Sequence, residues 1–287
     1  MSARILEGRP IAEALRTRLK RQAIGFQRRA GRPATIAVLH VGTDDASLVY
    51  ARAIERTALQ LGLESRAVEL PAQAQESDLV RALVRLSDDR GVDGILVQLP
   101  LPRHLSQRTI AEMMDPRKDV DGISVTSVGN LFLRQQSLVP STPAAVVSLL
   151  DHYRVPLSGK RVVIVGASNV VGKPLAFLLL QRDATVTVCH IATRDLAMWT
   201  QQAEVLVVAV GKPHLIHADM VRPGATVIDV GINTLPDRSI VGDVDFETVR
   251  EVAGAITPVP GGIGQLTNIM VLRQTLLAAL LQLRELV

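Results

Sequence analysis

Short runs of β-branched and aliphatic residues alternate with helix-period patterns along the whole chain. That rhythm predicts parallel sheet joined by crossover helices. In the first half, 34–41, 65–70 and 94–97 read as strands, with helices over 10–28, 47–61 and 76–88. In the second half the strands are 161–165, 185–189, 205–208 and 226–230, with helices over 172–182, 196–202 and 245–252. Residues 266–286 keep helical spacing without a breaker and predict a long closing helix. The less periodic stretch 129–140, followed by Thr142-Pro143, marks a boundary. The expectation is a two-domain α/β fold. Residues 1–140 would form one domain, to which helix 266–287 returns, and 141–265 would form a Rossmann-like domain.

Composition sharpens this picture in three ways. The chain has 287 residues, 47% of them apolar but only 2% aromatic, so its cores must be aliphatic. Its net charge of +4 is spread among acids rather than gathered in a basic tract, which argues against a nucleic-acid partner. A lone cysteine, Cys189, rules out an intrachain disulfide. The start of the chain lacks an apolar signal core, and no unbroken apolar run of membrane-spanning length is expected. A soluble, cytoplasmic protein with no membrane partner is the expectation.

The strongest local signal is the strand 161–165 running into Gly166-Ala167-Ser168-Asn169-Val170-Val171-Gly172 and an apolar helix. Strand, glycine turn and helix amino terminus together cradle a pyrophosphate through backbone N–H groups and the helix dipole. Ser168 stands where the usual motif has its central glycine. The next strand ends in His190-Ile191-Ala192-Thr193-Arg194 and carries no acid to grip a ribose diol. His190 and Arg194 suit a 2′-phosphate, which favours NADP and leaves NAD as the alternative. Arg194 is also compatible with a plain solvated position. Gly211 and the run Asp229–Asn233, including Ile232, end further strands and belong beside the same cofactor.

Motifs spread over almost the whole length now carry a resemblance. They are Val41-Gly42 with Ser47-x-x-Tyr50, the run from Asp93 through Gln98 to Pro102, and Lys118-Asp119-Val120-Asp121-Gly122. Thr142-Pro143, Gly166–Pro174, Ala209–Pro213, Val227–Asn233, Gly242–Phe246 and Ile256–Gly264 complete the series. The chain resembles the bifunctional methylenetetrahydrofolate dehydrogenase/cyclohydrolases. The resemblance implies an NADP-dependent enzyme of one-carbon metabolism, homodimeric, acting on tetrahydrofolate derivatives. It implies that Asp121 holds the pterin, Tyr50 lies against the aminobenzoyl ring and Gln98 sits near the reacting carbon, with Pro260, Gly261 and Gly262 also on the substrate. It assigns Gly166, Ala167, Ser168, Val171, Gly172, His190, Ile191, Thr193, Arg194, Gly211 and Ile232 to the cofactor, and no metal.

One departure stands out. The family pattern Tyr-x-x-x-Lys reads Tyr50-Ala51-Arg52-Ala53-Ile54 here, and an alkyl group moves no proton. Arg52 and Arg56 fall off the face of Tyr50. The family's Phe-His-Pro after Asp-Gly is replaced by Ile123-Ser124-Val125, with Ser127 two residues on. The expectation is a dehydrogenase whose cyclohydrolase step is weakened or lost. The alternatives are a fully bifunctional enzyme with a substitute for the lysine and a silent folate- or nucleotide-binding paralogue. His40, His104, His152, His214 and His217 show no metal spacing and are expected on the surface or in loops. Asp119 and Asp121 share one face of an extended segment, so a carboxylate pair is geometrically allowed.

Overall fold

The computed structural model describes residues 2–42 and 45–285. Helices and strands follow in the order β1 (Arg4–Ile5), α1 (Arg9–Ala30), β2 (Thr35–Val41), α2 (Asp45–Leu61), β3 (Glu64–Leu70), α3 (Glu76–Asp88), β4 (Gly94–Val97), α4 (Gln107–Met113), α5 (Val125–Phe132) and α6 (Ser141–His152). The second half adds β5 (Arg161–Val165), α7 (Gly172–Leu180), β6 (Thr185–Cys189), α8 (Leu196–Thr200), β7 (Val205–Val208), β8 (Thr226–Asp229), β9 (Asn233–Thr234), β10 (Ile240–Val241), α9 (Phe246–Val249), β11 (Ala255–Ile256) and α10 (Gly264–Glu285). Every strand and helix read from periodicity is present, most with ends shifted by a few residues. The short helices α4 and α5 and the two-residue strands have no periodic signature; α5 overlaps the stretch read as irregular.

The chain divides into two compact units. The first comprises Ala14–Ser141 and Asn268–Val287, the second Met1–Glu13 and Thr142–Thr267. Residues 1–13 therefore go with the second unit, not with the first as the sequence suggested. The reason is strand pairing: β1 adds to β11 in parallel, Arg4 opposite Ala255 and Ile5 opposite Ile256. A two-residue strand offers too little periodicity to announce that edge position.

In the first unit β3-β2-β4 form a parallel sheet. Ala37, Leu39, Ile95 and Val97 pack on one face against Leu79, Leu83 and Leu86 of α3 and Ile110 of α4. Helix α3 is closed at its carboxyl end by Lys118, whose buried ammonium donates to the carbonyls of Leu86 (3.0 Å), Ser87 (2.7 Å) and Asp89 (2.8 Å). Those carbonyls have no helical partner, and the lysine supplies one. The guanidinium of Arg32 grips the Asp93 carboxylate with both terminal nitrogens, at 2.7 and 2.8 Å, and Asp93 also accepts the N–H of Thr35. Thus the amino ends of β2 and β4 are tied together.

The second unit has a six-stranded parallel sheet, β1-β11-β8-β7-β5-β6, around a core of Val163, Val165, Leu206, Val208 and Val227. Its near-continuous apolar strands are those of a sheet buried on both faces. Helix α10 is long and apolar enough to cross a membrane, against the expectation that no such run exists. More than half of that stretch is buried inside the protein, Leu266, Val271, Leu272 and Leu276 among it, so its apolarity serves the core.

Candidate active site

The order of β3, β2 and β4 fixes which side chains meet. The chain steps from β2 outward to β3, then crosses back past β2 to β4. Two right-handed crossovers in opposite directions place their helices on opposite faces of the sheet. Helix α3 covers the face of Leu39 and Val97. By alternation, α2 lies on the face that carries Ile36, Val38 and His40 from β2, and Leu96 and Gln98 from β4; α10 packs on the same face, its Thr275 close against Gly94. The reversal between β2 and β4 is a topological switch point, where strand carboxyl ends line a ligand crevice.

Gln98 stands at that point. Its N–H donates to the Leu39 carbonyl at 2.8 Å, extending the ladder one residue past Val97. The side chain is 6% exposed, and neither its amide oxygen nor its amide nitrogen has a hydrogen-bond partner. A buried amide left bare on both atoms demands an explanation, and a ligand position supplies one. His40 lies on the neighbouring strand on the same face. It is 3% exposed, again with both ring nitrogens lacking a hydrogen-bond partner, and its Nε2 is 3.5 Å from Glu69 Oε1. The expected surface or loop role for His40 is therefore overturned. Strand alternation from Ile36 onward was the signal that would have placed it indoors, beside Gln98.

Helix α2 brings Tyr50, and four residues on, Ile54, which is completely buried. Burial, reinforced by the charge of Asp121, holds the Tyr50 phenol well above its usual range. Tyr50 therefore offers a neutral ring and hydroxyl, not a base. Arg52 and Arg56 are exposed, as their spacing implied. The side chain of Ser47 lies outside the described residues.

Asp121 accepts the backbone N–H of Ser141 at 3.2 Å. Burial pushes its carboxyl above the usual range; the Ser141 bond opposes this and the nearby Asp119 charge adds to it. Asp119 has a different task. Its two oxygens accept the N–H groups of Ile123 (3.0 Å) and Ser124 (2.8 Å). Ser124 then caps α5, its hydroxyl accepting the Ser127 N–H at 3.1 Å and lying 2.9 Å from the Ser127 hydroxyl. The carboxylate pair thus divides into a buried scaffold group, Asp119, and a half-buried one, Asp121, that can face a ligand.

In the second unit β6 and β7 flank β5, so the switch point falls between β5 and β7. Gly166, at φ +125°, ends β5, and a Cβ there would sit 2.2 Å from the Ala209 carbonyl oxygen. A Cβ on Gly172 would lie 1.8 Å from the Gly166 oxygen, so the turn closes only with glycine at both ends. Ser168 accepts the Val171 N–H through its hydroxyl at 3.1 Å, tightening the turn where a glycine was expected. Ala167 and Val171 lie in the same turn. The backbone of His190 donates to Thr193 Oγ1 at 2.8 Å, and its Nδ1 accepts the Ala192 N–H at 3.2 Å, forming a fixed turn beyond β6. Ile191 and Arg194 project from this turn fully into solvent reach.

Beyond β7, the Gly211 N–H and those of Val210 and Lys212 all donate to the Asp243 carboxylate. Asp243 in turn is held by Asp229. Ile232, exposed at 61%, borders a cavity of about 180 Å³ that Asp229, Pro260, Gly261 and Gly262 also line. Exposed aliphatics beside glycine turns at the switch point fit a dinucleotide, whose rings need apolar walls and whose phosphates need bare N–H groups. The structure brings the predicted cofactor residues to one end of one sheet, and Tyr50, Gln98 and Asp121 into the other unit.

Two family models match. The catalytic domain of tetrahydrofolate dehydrogenase/cyclohydrolase covers residues 6–121, and its NAD(P)-binding domain covers residues 140–283. The bifunctional protein FolD of Chloroflexus aurantiacus is 48% identical over 97% of this chain and 98% of its own. The crystal structure of the FolD dehydrogenase/cyclohydrolase from Campylobacter jejuni superposes with a TM-score of 0.95 at 40% identity, covering 98% of this chain and 100% of that one. The Trypanosoma brucei dehydrogenase-cyclohydrolase, solved with NADP and an inhibitor, gives 0.94 at 36% identity over 99% of each chain. Motif order, two-unit architecture and glycine turn agree with these matches, and the chain belongs to the tetrahydrofolate dehydrogenase/cyclohydrolase family.

Proposed function

We propose that this protein oxidises methylenetetrahydrofolate to methenyltetrahydrofolate with NADP, as a cytoplasmic homodimer, and that it carries out the following hydrolysis more slowly than lysine-bearing relatives. The observation that carries the reading is the pair of ligand-ready groups in the first unit: buried Gln98 with both amide atoms bare, and half-buried Asp121 with its raised carboxyl near Tyr50. A pterin edge presents ring N–H and amino donors beside acceptors, which a carboxyl of either charge state can match. The neutral Tyr50 ring suits an aromatic neighbour.

Held by the glycine turn of the second unit, NADP would supply the acceptor for a hydride from the methylene carbon. The protein's share is placement, which is the chief protein contribution to such a transfer. Gly166 and Gly172 let the backbone approach the pyrophosphate, while His190 and Arg194 stand where a 2′-phosphate would extend. For the hydrolytic step the fully buried Ile54 supplies neither proton nor charge. General acid–base help is worth roughly 10²–10⁴-fold, so a deficit on that scale is expected at this position. The test is purified protein with methylenetetrahydrofolate and NADP. NADPH should form while methenyl product accumulates before it opens to the formyl compound. Absence of NADPH formation would refute the dehydrogenase, and methenyl opening as fast as it forms would refute the slowed hydrolysis.

A further inference from the structure

We propose that His40 is the acid–base group for the hydrolysis that remains, held in a row with Glu69 and Gln98 across the three-stranded sheet. This rests on the folate reading above and deepens it.

The row follows from strand register. His40 of β2 pairs with Glu69 of β3. On the other side Leu39 pairs with Val97, so Gln98 falls opposite His40. Adjacent strands are about 4.8 Å apart, and residues in register on one face point the same way. Carboxylate, imidazole and amide therefore stand side by side on the face covered by α2, at the carboxyl ends of the strands and at the switch point.

Each member of the row has the character its part needs. Glu69 is two-thirds exposed, with Oε1 3.5 Å from His40 Nε2. It can orient the ring and favour an imidazolium when one forms, the part played by the third group in a nucleophile–base–orienter arrangement. His40 is buried with neither ring nitrogen hydrogen-bonded, and imidazole is the side chain most often used for general acid–base transfer. Gln98 has a donor and an acceptor bare. A water held between the imidazole and the amide would satisfy both. Of the flanking elements, β3 supplies the carboxyl of Glu69, β4 the amide of Gln98 and α10 the hydroxyl of Thr275. The covering face of α2 supplies the neutral Tyr50, with Asp121 near it, and the alkyl Ile54.

In the step, the water oxygen bonds to the methenyl carbon as one water proton passes to His40. The bond from that carbon to the pterin ring nitrogen then breaks. The nitrogen gains a proton and the new hydroxyl loses one to become the formyl oxygen. One water is consumed and one proton leaves to solvent; no oxidant or reductant is needed.

The experiment measures, on the full chain, enzymatic loss of methenyltetrahydrofolate and, separately, NADPH formation from methylenetetrahydrofolate. His40→Gln keeps a hydrogen-bonding side chain of similar reach but cannot titrate. The ratio of hydrolytic to dehydrogenase turnover should fall about 100-fold, and the acidic limb of the hydrolytic pH profile should vanish. Glu69→Gln, at an exposed position, should fold normally. It should move that limb to lower pH, because removing the carboxylate disfavours the imidazolium. An unchanged ratio and profile in both variants, or wild-type hydrolysis no faster than buffer alone, would overturn the role of His40. Either result leaves NADPH formation intact, whereas loss of NADPH formation in the wild type strikes the folate reading itself.

Discussion

Asp229 accepts the backbone N–H of Asp243 at 3.0 Å, and the Asp243 carboxylate in turn accepts the N–H groups of Val210, Gly211 and Lys212. Asp229 also accepts from Gly231 and Val244. Two buried acids thereby fix the loops after β7 and β8 in one relay. The packing is tight: a Cβ on Gly242 would fall 1.8 Å from Asp229 Oδ2, and one on Gly231 would fall 2.3 Å from the Asp243 carboxyl carbon.

Burial raises the Asp229 carboxyl to about 6, against the three N–H bonds that favour its charge and with help from the Asp243 charge. A folded-state value above the unfolded one means the native state holds the proton more tightly. The stability this group contributes is complete below the ordinary value of 3.8 and is lost as pH rises through about 6. A shift of about two units corresponds to roughly 3 kcal/mol. Urea unfolding at about pH 4 and about pH 7 should show that loss in the wild type, and Asp229→Asn should flatten it. An equal slope in both proteins would show that Asp229 is ionised throughout.

Gly172→Ala should damage the cofactor turn specifically. The new methyl would occupy the position of the Gly166 carbonyl, so backbone must move. Overpacking of this kind costs about 1–3 kcal/mol. Calorimetric titration with NADP should show at least about a tenfold loss of affinity at that cost, alongside a lowered Tm.

Arg194→Ala tests the phosphate assignment. A hydrogen bond to a charged group is worth about 1.5–3 kcal/mol, so KM for NADP should rise about tenfold or more. KM for NAD should stay close to wild type. An equal rise for both cofactors would return Arg194 to a solvated role.

Lys118→Met should destabilise without acting on the chemistry. It strips the donor from the Leu86 and Ser87 carbonyls and one of two donors from that of Asp89, a cost of about 3 kcal/mol. Chemical denaturation measures it, and kcat of the correctly folded fraction should stay near wild type. The motif that contains Lys118 carries the resemblance, yet its ammonium is fully spent on backbone.

Ile54→Lys puts an ammonium where the present side chain has no contact with solvent. Unless it finds a partner, an isolated buried charge costs several kcal/mol or gives up its proton. A Tm drop is expected, and a variant as stable as wild type would mean that a polar neighbour already waits there.

Much of the architecture was legible because its causes are local. The strands at 161–165, 185–189 and 205–208 announce themselves as unbroken β-branched runs between turn signals, and α3 as a stripe with Leu79, Leu83 and Leu86 inward. Gly166 and Gly172 mark the turn because only a residue without Cβ closes it. Helix α5 escaped because eight residues give barely two turns of pattern. The edge strand β1 escaped because two residues have no period at all.

Local order along the chain dictates the alternation of strands and helices, the aliphatic cores, the glycine turn and the absence of a lysine four residues after Tyr50, since each depends on neighbours in sequence. Tertiary structure alone decided that His40 stands between Glu69 and Gln98, that Asp119 and Asp121 serve different partners, and that residues 1–13 join the second unit. Apart from the local bonds of Asp119, those relations join segments tens to hundreds of residues apart. Strand order and register, not spacing along the chain, bring their side chains onto one face.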